Sequence, residues 1–107
     1  MYDDDFRVLD VVYVDGLVVV VLEGEIDIAS APALRSVLDQ LDSDCKVILD
    51  LARVAFMDCS GLRILVGQLI SRHSAGGVLR IRNSSVDVRR LVEITGLDDL
   101  LLEATAA

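Results

Sequence analysis

Two hydrophobic periods alternate along this chain. Phe6 to Val14 is rich in Val, Leu and Tyr and predicts a strand. Asp15-Gly16 follows, a dipeptide that favours the tight turn of a hairpin. Leu17 to Glu25 is the predicted return strand. Its centre, Val18-Val19-Val20-Val21, is apolar on both sides and predicts a central strand covered on both faces, or nearly so. From Ala31 to Leu41 the period changes: Leu34, Val37, Leu38 and Leu41 form one helical stripe, and Pro32 sits where a first turn tolerates it. Asp42-Ser43-Asp44 ends that helix. Lys46 to Leu51 reads as a buried strand, and Ala52 to Asp58 as a loop carrying Phe56 and Met57. A second helix follows, with Leu62, Leu65, Val66, Leu69 and Ile70 predicted to face the sheet and Ser60, Ile64, Gly67 and Ser71 on the opposite side. It stops near Ala75-Gly76-Gly77.

Val78 to Arg82 alternates and predicts a half-exposed strand. Asn83-Ser84-Ser85 offers caps for a third helix that carries Val88, Leu91 and Val92 and ends at Gly96. Leu100 to Leu102 reads as a last short strand or as a helical turn. Asp3, Asp4 and Asp5 are expected to be a solvated arm, and Ala104 to Ala107 a frayed tail. The order β-β-α-β-α-β-α predicts a small α/β domain over 1–107, with its core at about 6–102. Its mixed sheet is begun by a β-hairpin and continued by right-handed β-α units.

Composition narrows the function classes. The chain has 107 residues, the size of one domain. Its 53% hydrophobic content argues against a disordered chain. With 18 acidic and 10 basic residues the net charge is −8, so no basic footprint exists for direct nucleic-acid binding, and an anionic membrane is equally disfavoured. The longest uninterrupted apolar run, Leu17 to Leu22, is far short of the ~20 residues of a membrane helix. Met1-Tyr2-Asp3-Asp4-Asp5 lacks the positive start of a signal peptide, and a cytoplasmic location is expected. Cys45 and Cys59 form no CxxC pair and are expected to stay unpaired, because a buried strand separates them.

Candidate chemistry gathers between Asp50 and Leu62, where a strand gives way to a helix. Asp58 or Ser60 reads either as a plain N-cap or as part of a site. Gly61 in the first helical turn lowers helix propensity, which suggests close approach by another backbone or by a partner protein. Asp27 reads as a cap near the first helix or as a partner contact, and Asp50 as a brace for backbone N–H groups. His73 has no companion ligands, so no metal is expected. Cys59 at a helix N-terminus reads as an inert buried or half-buried thiol, or as a redox-sensitive one.

Phe56-Met57-Asp58-Cys59-Ser60-Gly61-Leu62 resembles the signature of the anti-sigma factor antagonists, the soluble single-domain members of the STAS superfamily. Gly24-Glu25-Ile26-Asp27 with Ala31-Pro32-Ala33-Leu34-Arg35, Val47-Ile48-Leu49-Asp50-Leu51, and Gly96-Leu97 resemble other segments of that family in the same order. The resemblance implies a protein with no catalytic role and no cofactor. It implies binding to an anti-sigma factor that is also a serine/threonine kinase, which frees a sigma factor. It also implies a phosphoacceptor serine before the glycine, here Ser60, and a serine phosphatase that resets it. One position departs from the family pattern: Cys59 stands where serine or threonine is usual.

Competing classes fare worse. A hydrolase using Ser60 lacks a base, since His73 lies about 20 Å further along the same helix, and there is no GxSxG elbow. A phosphoaspartate receiver at Asp50 lacks its acidic pair and late lysine. The alternative within the superfamily is an accessory subunit of a transporter or stress-sensing complex that docks without phosphorylation. For the partner face, helical geometry singles out Ile64 as an apolar anchor, with Gly67 as its floor and Ser60 at its rim. Asp27, Asp58, Cys59 and Gly61 complete the expected partner-binding set.

Overall fold

The computed structural model describes residues 6–103; the acidic arm and the tail lie outside them. The elements run β1 (Phe6–Val14), β2 (Leu17–Ile26), α1 (Ala31–Asp39), β3 (Lys46–Met57), α2 (Cys59–Ser74), β4 (Val78–Arg82), α3 (Val86–Ile94) and α4 (Asp98–Leu101). The sheet order is β1-β2-β3-β4, with β1 antiparallel to β2 and the remaining pairs parallel. This is the expected mixed α/β sheet with one short helix added. Asp15 and Gly16 both take positive φ, 45° and 80°, as a tight hairpin turn requires. Leu100 to Leu102 turns out to do both things its sequence suggested: α4 ends at Leu101, and Leu102 bridges to Ile81.

The helices bury one side of the sheet. Leu34 and Leu38 of α1, Leu62, Leu65 and Leu69 of α2, and Val88 and Val92 of α3 join Val18, Val20, Leu22, Val47, Leu49, Leu51, Leu79 and Ile81 in one core. Each such side chain contributes about 1.5–3 kcal/mol on burial. The expectation that β2 is covered on both faces is not met. Val18 and Val20 are buried, while Val19 and Val21 point to a face without helices and are only half-buried.

Two further expectations are corrected. Ala52 to Asp58 is not a loop as far as Met57, because β3 continues to that residue and pairs with β2 through Ile26↔Met57. Register shifts between Val21 and Glu23, and between Gly24 and Glu25, break the alternation of buried and exposed positions in β3. A strand with bulges loses the period-2 pattern by which it would be recognised. In α2, Ile70 does not face the sheet; it is 62% exposed. The buried stripe is Gly61, Leu62, Leu65, Leu69 and Arg72, and Ile64 is half-buried against the core instead of standing on a solvent face.

Arg72 is the residue that the apolar stripe concealed. It is 2% exposed, and its guanidinium donates to Leu38 O and Asp42 O, both at 2.7 Å. These are carbonyls at and beyond the end of α1, acceptors that a helix terminus leaves open. The two terminal nitrogens of this buried arginine thereby tie α1 to α2, while its Nε has no hydrogen-bond partner among the described residues. Gly77 is likewise built in: a Cβ there would collide with the carbonyls of Ser43 and Cys45.

Candidate functional site

Parallel pairing of β2 and β3 brings the site together. Both strands end at the same pole, so the residues that follow Ile26 and Met57 leave the sheet side by side. Asp58 N–H donates to Ile26 O at 3.0 Å and joins the two exits. Asp27 and Asp58, far apart in sequence, thus become neighbours.

Each carboxylate first serves its own turn. One Asp58 oxygen accepts from Ser60 N–H at 2.8 Å and from Gly61 N–H at 3.4 Å, making Asp58 the N-cap of α2. This resolves the choice between Asp58 and Ser60 as the cap. Asp27 accepts from Ala29 N–H at 3.0 Å and Ser30 N–H at 3.1 Å, and Ser30 Oγ returns the link by accepting from Asp27 N–H at 2.9 Å. Ser30 also donates to Glu25 O, which anchors the turn between β2 and α1. Asp50 braces Ala52 N–H at 3.0 Å, as expected, and its other oxygen meets Arg82 Nε at 3.2 Å.

Ser60 lies in the first turn of α2, half-buried, beside an exposed Cys59. Exposure corrects the reading of Cys59 as a buried or half-buried thiol. Both cysteines are free and stand at opposite ends of β3, as expected. Gly61 needs a different explanation from the one proposed. It is buried, and a Cβ there would lie 2.5 Å from Ile26 Cγ2 and 2.8 Å from Met57 Cγ. The close approach is made by the domain's own core, not by a second backbone or a partner. Glycine lets the first turn of α2 settle onto the ends of β2 and β3, and this holds Ser60 at the rim of the pole.

Gly67 is the converse case. A Cβ there would meet nothing within 4 Å. It lies in a shallow groove of about 360 Å³ between α1 and α2, walled by Arg35 and Asp39 on one side and by Arg63, Ile64, Gln68 and Ser71 on the other. Gln68 Nε2 donates to Asp39 Oδ1 at 2.7 Å across the groove. Ile28 is the feature the sequence reading missed: it is 78% exposed, directly after Asp27. An isoleucine within a run of turn residues carries no periodic signal, so only the topology shows that it stands at the pole.

Among the described residues no group of His, Cys, Asp and Glu could hold a metal ion, and no helix is long and apolar enough to cross a membrane.

A family model for the STAS domain matches residues 9–106. The chain belongs to the STAS domain family. Its STAS domain is 38% identical over 81 residues to the anti-sigma-B factor antagonist of Bacillus subtilis, covering 75% of this chain and 74% of that one. The crystal structure of an anti-sigma factor antagonist from Mycobacterium paratuberculosis superimposes with a TM-score of 0.73 at 29% identity, covering 98% and 92% of the two chains. The anti-sigma factor antagonist SpoIIAA in its unphosphorylated form gives a TM-score of 0.69 at 25% identity, over 90% and 87%. The Bacillus SpoIIAA structure has also been solved in a phosphorylated form.

Proposed function

We propose that this STAS domain is an anti-sigma factor antagonist without catalytic activity of its own. It binds an anti-sigma factor that is also a serine kinase, and phosphorylation of Ser60 ends the binding until a serine phosphatase restores it. The observation that carries the reading is the placement of Ser60: a hydroxyl in the first turn of α2, at the pole where Asp27, Asp58 and Ile28 converge. The names of the relatives point to the same role.

The physics of the switch follows from that placement. Phosphorylation adds about −1.5 to −2 charges at pH 7. The positive end of a helix favours such a charge, so the fold tolerates it. Asp58 already occupies the Ser60 and Gly61 N–H groups, so the cap stays in place and the phosphate adds its charge at a pole that already carries Asp58 and Asp27. A partner surface shaped for a neutral hydroxyl must then desolvate a dianion, and this cost drives release. Internal structure is spared while the docking face changes.

Asp27, Asp58, Ile28 and Cys59 form the pole of this docking face, and the groove of Ile64 and Gly67 extends it along α2. Gly61 acts from below, by seating Ser60. Incubation with the cognate anti-sigma kinase and ATP, followed by mass spectrometric mapping, should find phosphate on Ser60 alone, with none on a Ser60→Ala variant. That variant should still bind the kinase. Label on exposed Ser36 or half-buried Ser84 in place of Ser60 would overturn the assignment.

A further inference from the structure

The valine run of β2 has half its side chains pointing away from every helix. A sheet face open to water ordinarily carries polar residues in alternation with the core positions. Here the pairing register aligns apolar side chains instead. Val14 and Leu17 share a row with Lys46 and Val78 at the hairpin end. The next row holds Val12, Val19 and Ile48, closed by Arg80. Ile48 is only 5% exposed, but Val12 and Val14 are 41% and 52% exposed, so the field reaches solvent along β1. None of these residues is needed by the core on the other side.

Charge on this face is ordered along the strand sequence of the sheet. Asp10 stands on β1, while Lys46, Arg80 and Arg82 stand on β3 and β4, with Asp50 of β3 paired to Arg82 at 3.2 Å. With the Arg7–Glu23–Arg53 cluster at the far end of the strands, the face carries five basic and three acidic residues. On a chain at −8 this face is a patch of net positive charge, and its complementary juxtaposition with a second copy lies between Asp10 on β1 and the basic β4 edge.

We infer that a second copy of this chain covers the open face, sheet upon sheet, about a twofold axis running along the strands. That axis lays β1 of one copy across β4 of the other. Asp10 then faces the Asp50–Arg82 pair twice over, Val14 faces Val78, and Val19 faces Ile48, while Leu17, Val12 and Val21 lie against the stems of Lys46 and Arg80 and against Asp50, with the sheets about 10 Å apart. Strand spacing and rise give the face about 500 Å² per copy, or about 1,000 Å² in total, at the lower limit for a specific interface. The dimer is therefore weak and concentration-dependent. The axis leaves both Ser60 poles free and pointing the same way, and the inference does not depend on Ser60 being phosphorylated.

Sedimentation of the full chain from low micromolar to millimolar concentration tests it. The average mass should rise from one chain towards two. Val14→Glu should weaken association at least tenfold, and Asp10→Arg at least threefold, with unchanged melting at low concentration. Tyr13→Glu, on the same strand but on the helix side of the sheet, should associate like the parent. A single-chain mass at every concentration would overturn the inference. So would an effect of Tyr13→Glu equal to that of Val14→Glu, which would place the contact on the β1 edge, or full association by Asp10→Arg, which would exclude the twofold arrangement.

Discussion

Helix α2 contains two glycines in opposite circumstances. Gly61 is buried, with Ile26 and Met57 pressed against the place where a side chain would begin. Gly67 is exposed, and the space beside it is empty. Both lower helix propensity by up to about 1 kcal/mol relative to alanine. The domain recovers that cost at Gly61, because the first turn of α2 can then lie on the ends of two strands and hold Ser60 at the pole. At Gly67 nothing inside the domain recovers it. The difference separates a glycine that folding requires from one that no described neighbour requires, and that lies in the groove proposed for the partner.

Three substitutions sharpen or break this contrast. The largest effect belongs to Gly61→Ala. Overpacking costs about 1–3 kcal/mol, which outweighs the propensity gained. The net cost, up to about 2 kcal/mol, should lower Tm by several degrees, since 1 kcal/mol corresponds to about 4–8 °C in a domain of this size. Next is Asp58→Ala, which frees the Ser60 and Gly61 N–H groups and removes the N-cap. Its expected cost is about 1 kcal/mol, read from urea unfolding as a lower midpoint with an unchanged slope. The smallest change, and of opposite sign, is Gly67→Ala. It should raise stability by about 0.4–1 kcal/mol and weaken kinase binding by narrowing the groove. A destabilised Gly67→Ala, or a Gly61→Ala as stable as the parent, would dissolve the distinction. Ile64→Ala is a poorer probe than the helical wheel suggested. Ile64 packs partly against the core, so its truncation moves stability and binding together.

Much of the fold was legible because the periods are strong. β1, the Asp15-Gly16 turn and the order of elements follow from alternation, helical stripes and turn residues. Two places were not legible, each for a physical reason. The second half of β3 carries bulges, so Ala52 to Phe56 lacks the strand period and reads as a loop. Arg72 sits on the buried stripe of α2 as a charged residue, which is compatible with the core only because the end of α1 supplies two carbonyls from elsewhere in the chain. At the site, Asp58, Ser60 and Gly61 were visible as a local motif. The nearness of Asp27 and the exposure of Ile28 depend on two parallel strands ending together, and no local pattern records that.

In the proposed switch, phosphate on Ser60 changes the surface and spares the fold. The most direct test is calorimetric titration of the cognate anti-sigma kinase with unmodified protein and with protein phosphorylated at Ser60, with thermal melts of both samples. The phosphate should weaken binding at least tenfold, about 1.4 kcal/mol or more, with Tm values within about 2 °C of each other. Equal binding by the two forms would contradict it, as would a loss of binding that arises only because the phosphorylated domain unfolds.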